Sequence, residues 1–188
     1  MKQAKIIEKE FNFRYSLEER GKTDMIVLHH TGGSDIDTSA EQIHDWHYNH
    51  QPDAWSGIGY HFVIRKDGTI ERGRPEWAIG SHAYKNNSDT IGIHLSGNFN
   101  LANPTDKQIE STAMLIANLT DKYNIPTDRQ HIIGHEECYS GVGRTNGTGC
   151  PGRNLQSQLD TISGKANWYR YNTDADVVDK CPTCGRKL

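Results

Sequence analysis

The chain has 188 residues, of which 34% are apolar and 24% are charged, and its formal net charge is −3. This length and composition allow one compact domain with a small appendage, and they exclude two full domains or a disordered chain. Lys and Arg form no cluster, so we expect no nucleic-acid partner. No apolar run is long enough for a signal peptide or a membrane span, so we expect a cytoplasmic chain without a membrane partner.

Strand and helix patterns alternate along the chain and predict a mixed α/β domain. Apolar and β-branched runs predict strands at 25–29, 60–65, 69–72, 91–95 and a last one that ends at Gly134. Asp67-Gly68 is a turn signal that pairs the second strand with the third as a hairpin. Helical spacing predicts helices at 39–50, 105–123 and 155–163, capped by Thr38 or Ser39, by Thr105 and by Asn154, respectively.

The cysteines and histidines are the residues most able to carry chemistry. There are ten histidines and four cysteines, namely Cys138, Cys150, Cys181 and Cys184. In a reducing compartment, metal binding or burial is a commoner role for such cysteines than a disulfide framework. Position along the chain must therefore decide which of them bind a metal.

Three of these residues form a candidate zinc site. His29 and His135 stand at predicted strand ends, and Cys150 lies in a loop before Pro151. Each residue alone is more often a buried or surface residue than a ligand. Together, two imidazoles and one thiolate would leave a tetrahedral zinc one open position for water, which is typical of catalytic rather than structural sites.

Short motifs around these residues occur in a fixed order. They include Val27-Leu28-His29-His30-Thr31, Gly59-Tyr60-His61-Phe62, Gly80-Ser81-His82-Ala83, Thr90-Ile91-Gly92-Ile93, Gly134-His135 and Cys150-Pro151-Gly152. This series resembles the type-2 N-acetylmuramoyl-L-alanine amidases, the family of short phage amidase lysozymes and peptidoglycan recognition proteins. The resemblance covers residues 24–163.

The resemblance implies the fold and the metal. We expect a single α/β domain of the recognition-protein and amidase type, with a mixed central β-sheet flanked by helices. We divide the chain into an N-terminal extension (1–23), a zinc amidase domain (24–164) and a C-terminal tail (165–188). The resemblance makes His29, His135 and Cys150 the ligands of Zn²⁺, and His30, on the other side of its strand, the weaker candidate.

The resemblance also implies catalytic roles for three residues. Tyr60 matches the family's active-site tyrosine, whose hydroxyl can orient the water or stabilise the oxyanion. Thr148 stands where some relatives have a lysine and can donate a hydrogen bond without a positive charge. His94 stands where one branch has a glutamate proposed as general base, and an imidazole could serve that role. A packing role for His94 is the alternative.

The activity implied is hydrolysis of the amide between N-acetylmuramic acid and L-alanine in bacterial peptidoglycan. His82 and Trp55 are the expected substrate contacts. A phage endolysin that waits in the host cytoplasm and then acts on the cell wall fits the missing signal peptide. Two alternatives are a non-catalytic peptidoglycan-binding protein, which typically lacks the cysteine ligand, and a cytoplasmic amidase that recycles muropeptides.

Two segments depart from the compact members of the family. The loop at 136–149 is longer than usual, which makes the match of Thr148 less direct than that of Cys150. Cys181 and Cys184 form a Cys-x-x-Cys pattern that resembles one knuckle of a zinc ribbon, half of a tetrahedral site. Cys138 with a histidine, or the same knuckle in another copy, could complete the site, and an unpaired remnant in the tail is the alternative. We expect a monomer, with a zinc dimer clasped by two such tails as the alternative.

Overall fold

The computed structural model describes residues 1–138 and 147–172. In these ranges the chain forms six strands and four α-helices. The strands are β1 (Ile6–Ile7), β2 (Met25–His30), β3 (Phe62–Ile64), β4 (Ile70–Arg72), β5 (Thr90–Leu95) and β6 (Ile132–Gly134). The helices are α1 (Ala40–Tyr48), α2 (Asp106–Lys122), α3 (Arg153–Gln156) and α4 (Leu159–Tyr171), and a short 3-10 helix (His135–Glu137) follows β6.

The six strands form one sheet in the order β1-β4-β3-β5-β2-β6. Only β3 and β4 pair antiparallel, as the Asp67-Gly68 turn predicts, and the other pairs are parallel. The predicted mixed sheet is therefore confirmed. In the parallel register, His29 lies beside His94 and Leu28 beside Gly134. The chain therefore leaves β2, β5 and β6 at the same edge of the sheet, the one formed by the carboxyl ends of these parallel strands.

Alternate residues of the strands face two different helical layers. Ile26, Leu28 and other residues of that face pack in the main core with residues of α2 and α4. On the opposite face, Val63 packs against Ile43 of α1. Because side chains alternate along a strand, His29 and His94 lie on the α1 face. The two histidines therefore lie on the face of the sheet opposite α2 and α4.

The helix boundaries follow from local capping. Ser39 caps α1 and Thr105 caps α2, each in a reciprocal capping box with a glutamine three residues later. These two predicted starts are confirmed. No helix in the two described ranges is long and apolar enough to cross a membrane.

Some predicted boundaries differ from the structure. The strand predicted from Tyr60 begins at Phe62, and Tyr60 lies two residues before it. The helix predicted from Asn154 to 163 is two helices: α3 has Gly152 at its N-cap, and α4 continues to Tyr171 because Ala166 and Tyr169 belong to the core. The edge strand β1 was not predicted, since two residues carry no pattern. The tail knuckle at Cys181 and Cys184 lies outside the described residues.

Candidate metal centre

Three side chains meet at the edge of the sheet where β2 and β6 end. They are His29 from β2, His135 from the first position of the 3-10 helix, and Cys150 from the loop before α3. One ligand atom from each lies within 4.8 Å of the other two. The structure thus brings together the three residues predicted as zinc ligands.

The distances fit one small cation. His29 Nδ1 lies 3.7 Å from Cys150 Sγ, and the rings of His29 and His135 have centroids 4.5 Å apart. Zinc bonds of about 2.0 to 2.3 Å would place tetrahedral ligand atoms roughly 3.3 to 3.8 Å apart. The donor set of two nitrogens and one sulfur is also one that zinc prefers. The residues present therefore fit a zinc ion.

Two hydrogen bonds hold the Cys150 loop against β2 and the 3-10 helix. The amide of Glu136 donates to the Cys150 carbonyl at 2.7 Å, which ties the loop to the residue after His135. The amide of His30 donates to Cys150 Sγ at 3.4 Å. A Cβ at Gly152 would lie 2.8 Å from the Phe99 backbone and 2.9 Å from the His30 ring, and Gly152 has φ of +87°. Only glycine therefore lets the loop approach this closely.

Burial keeps the donor set uncharged. Desolvation is the main reason why the pKa of His29 lies well below its usual value, and the neighbouring His82 and His135 lower that pKa further. Burial also lowers the pKa of His135. It raises the pKa of Cys150 to about 12, so the metal-free protein holds a neutral thiol at pH 7. A bound cation would have to stabilise the thiolate.

Tyr60 lies beside the three ligands. Its ring centroid is 5.0 Å from that of His29 and 4.9 Å from that of His94. Burial, and then the nearby Cys150, raise the pKa of Tyr60, so its hydroxyl stays protonated and can donate. The Tyr60 carbonyl accepts from the Arg74 amide at 2.8 Å, and this backbone bond fixes the segment before β3.

His94 and His30 flank the centre without joining it. His94 Nε2 lies 3.2 Å from Thr31 Oγ1, and His94 Nδ1 is buried with no hydrogen-bond partner in the described part of the chain. Burial, with His47 and His30 nearby, lowers the pKa of His94 to about 3, which makes its imidazole a weak base. The general-base role stays a prediction. His30 Nδ1 accepts from the Phe99 amide at 3.1 Å, away from the three ligands.

A cleft of about 470 Å³ opens beside the candidate metal centre. Its walls contain one ligand, His135, together with three residues predicted from the sequence. These three are Trp55, His82 and Thr148. Thr148 Oγ1 also accepts from the Cys150 amide at 3.2 Å. Trp55 is 40% exposed and so can meet a ligand, whereas His82 is only 7% exposed. Their substrate-binding roles stay predictions.

A larger groove lies away from these residues. It has a volume of about 880 Å³, and its lining comes from within the segments 8–17 and 72–77, without any of the three ligands. The larger of the two cavities is therefore not the one beside the candidate ligands.

One supporting residue was missed by the sequence interpretation. His47 Nδ1 accepts from the Gly59 amide at 3.2 Å, and the His47 ring lies 4.4 Å from the Trp55 ring. His47 thus links α1 to the segment that carries Tyr60 and to the wall of the cleft. The sequence places His47 on the apolar face of the predicted helix. This placement alone does not distinguish a supporting residue from an ordinary core residue.

The fold and the centre define an α/β protein in which three side chains that could hold a metal ion meet at one sheet edge, beside a cleft. Residues 19–153 match the family model described as N-acetylmuramoyl-L-alanine amidase. The chain belongs to this family, of the phage endolysin-like kind, which confirms the resemblance seen in the motifs.

Individual relatives agree with this assignment. The chain is 35% identical over 124 residues to the endolysin of Escherichia phage T7, and the match covers 63% of this chain and 80% of that protein. It is 33% identical over 148 residues to peptidoglycan-recognition protein SC2 of Drosophila melanogaster, covering 76% and 73%. It resembles the structure of N-acetylmuramoyl-L-alanine amidase LysC from Clostridium intestinale URNW with TM-score 0.73 and 38% identity, covering 87% and 97%.

Zinc affinity should depend on pH through the thiol. Because the pKa of Cys150 is raised to about 12, binding must release its proton, and the lowered pKa values of the two histidines leave them deprotonated. We therefore expect the association constant to rise about tenfold per pH unit between about pH 6 and pH 7, below the range in which a zinc-bound water would also lose its proton. Competition with a chromophoric chelator, in a chain with Cys181→Ser and Cys184→Ser, measures this slope.

The buried Cys138 provides the control. It is 1% exposed and its pKa is also raised to about 12, but it is not among the three clustered ligands. Cys138→Ala should keep the slope, whereas Cys150→Ala should lose it together with most of the affinity. A slope near zero in the otherwise unchanged chain would show that the thiol is not a ligand.

Proposed function

We propose that this protein is a zinc-dependent N-acetylmuramoyl-L-alanine amidase that cleaves the bond between N-acetylmuramic acid and the L-alanine of the stem peptide. The observation that carries the proposal is the convergence of His29, His135 and Cys150 beside an open cleft. Family membership and the similarity to LysC support the same reaction.

The residues around the cleft suit amide hydrolysis. When bound, zinc would lower the pKa of a water to roughly 7 and polarise the carbonyl group. Tyr60 keeps its proton and lies beside His29, so its hydroxyl can donate a hydrogen bond to the oxyanion as it develops. Thr148, in the cleft wall, can add a second donor. The exposed Trp55 offers an aromatic face to glycan or peptide.

We further propose that the protein is a phage endolysin. The named endolysins among its relatives support this role. An endolysin would be present in the host cytoplasm during infection and would act on the wall after release, with peptidoglycan as its partner. A binding protein without activity is the alternative that the recognition-protein relatives raise. The thiol of Cys150, placed with both imidazoles, favours the enzyme.

The proposal is tested by identifying the chemical groups that the protein releases from peptidoglycan. Purified peptidoglycan should yield new free amino termini without new reducing sugar, and a chelator should stop the release until zinc is restored. Cys150→Ala should abolish it, whereas Cys138→Ala should retain it. Because the tail offers two further cysteines, the assay is best run in the Cys181→Ser, Cys184→Ser chain.

Three outcomes would change the proposal. New reducing sugar would indicate a glycosidase, and bound zinc without cleavage would indicate a binding protein. Rapid cleavage of soluble muropeptides with none of intact sacculi would indicate a recycling amidase rather than an endolysin.

The Tyr60→Phe variant removes the hydroxyl and keeps the ring, so it tests the role of the hydroxyl alone. Because the variant keeps the packing against His29 and His94, zinc affinity should not change, whereas kcat should fall by about 10²- to 10³-fold through loss of one oxyanion donor. Steady-state cleavage of a soluble muropeptide measures kcat and KM separately. Unchanged kcat would assign Tyr60 a packing role only.

A further inference from the structure

The two ring nitrogens of His29 face different partners. Nδ1 lies 3.7 Å from Cys150 Sγ and so faces the candidate zinc position. Nε2 lies 2.9 Å from His82 Nδ1, in a contact buried from solvent. A neutral imidazole carries its proton on one nitrogen, and only the other nitrogen can bind a metal. The contact with His82 therefore bears on which nitrogen of His29 is available.

The backbone carbonyl of Asn86 determines which atoms donate in a series of hydrogen bonds that runs through Thr90 and His82 to His29. Thr90 Oγ1 lies 2.5 Å from the carbonyl oxygen of Asn86, which can only accept, so the single hydroxyl proton of Thr90 goes there. The same Oγ1 lies 3.3 Å from His82 Nε2 and must accept from it. His82 Nδ1 then has no proton and accepts from His29 Nε2–H. The Nδ1 lone pair of His29 is left free to face zinc.

The His82 ring fits into a space made by two glycines. A Cβ at Gly80 would lie 2.4 Å from His82 Cδ2, and one at Gly92 would lie 2.5 Å from His82 Cγ. The His82 amide donates to Asn87 Oδ1 at 2.9 Å, which fixes the backbone at the same point. Thr90 is fully buried. The ring is thus packed closely against the backbone at both glycines, which restricts its rotation away from His29.

We propose that His82 is a positioning residue: oriented by Thr90 and the Asn86 carbonyl, it holds His29 as the Nε2–H tautomer and presents Nδ1 to zinc. This inference rests on the proposed zinc site. It gives His82 a role as the hydrogen-bond partner of a ligand, and the substrate contact predicted from the sequence stays a prediction. Partners of this kind orient ligand imidazoles and raise metal affinity.

The first test is zinc affinity in the full chain with Cys181→Ser and Cys184→Ser. His82→Leu should weaken binding about 10- to 100-fold, the usual effect of losing such a partner. Thr90→Val, which has nearly the same shape, should weaken it about fivefold, the size of one neutral hydrogen bond. Thr90→Ser restores the hydroxyl and His82→Asn restores an acceptor, so both should bind zinc nearly as the unsubstituted chain does.

Thr112→Val controls for the general effect of burying valine in place of threonine. The Thr112 hydroxyl donates to the Gln108 carbonyl at 2.6 Å within α2, and Thr112 is fully buried. This variant should lower the free energy of unfolding without changing zinc affinity. Equal loss of zinc affinity in Thr112→Val and Thr90→Val would overturn the proposal, as would unchanged affinity in both His82→Leu and Thr90→Val.

The second test needs no variant and no metal. Long-range ¹⁵N–¹H spectra of the metal-free protein report which nitrogen of His29 carries the proton. We expect a protonated Nε2 and an unprotonated Nδ1, and the reverse tautomer would overturn the proposal. Because this measurement is independent of zinc, it separates the two claims: an unsubstituted chain that binds no zinc contradicts the proposed function, whatever the tautomer.

Discussion

The parallel pairing of β2 with β5 on one side and with β6 on the other is the constraint on which the site depends. It brings the ends of three strands to one edge of the sheet, with His94 beside His29 and His135 next in the chain after β6. Cys150 reaches this edge through the hydrogen bond between its carbonyl and the Glu136 amide. A one-residue slip of β2 would turn His29 to the face covered by α2 and α4.

Burial then determines the chemical character of the site. The same desolvation that lowers the pKa of the histidines raises those of Cys150 and Tyr60. The metal-free centre is therefore neutral, with the Nδ1 lone pair of His29 directed toward the thiol. The dense packing around it depends on glycine residues, which have no Cβ: a Cβ at Gly59 would lie 1.9 Å from the Ser81 carbonyl oxygen. The ligands, Tyr60 and the supporting histidines therefore lie together at this edge of the sheet.

Much of this arrangement could be predicted from the sequence, because His29, His135 and Cys150 each stand in a short motif with a strand or loop signal. The resemblance implied the mixed sheet, and the capped starts of α1 and α2 followed from local patterns. The contact between His29 and His82 could not be predicted, since it joins residues 53 positions apart through tertiary packing. The length of α4 could not be read either, because its last turns are stabilised by the core rather than by a local signal. The predicted domain limits stay predictions.

The most direct test of the central claim, a zinc ion held by two imidazoles and one thiolate, is X-ray absorption at the zinc edge. The spectrum should be taken on the zinc-loaded chain with Cys181→Ser and Cys184→Ser. We expect one sulfur at about 2.3 Å from the zinc and nitrogen or oxygen neighbours at about 2.0 to 2.1 Å, four ligands in all. A spectrum without sulfur, or one with two or more sulfurs, would contradict it.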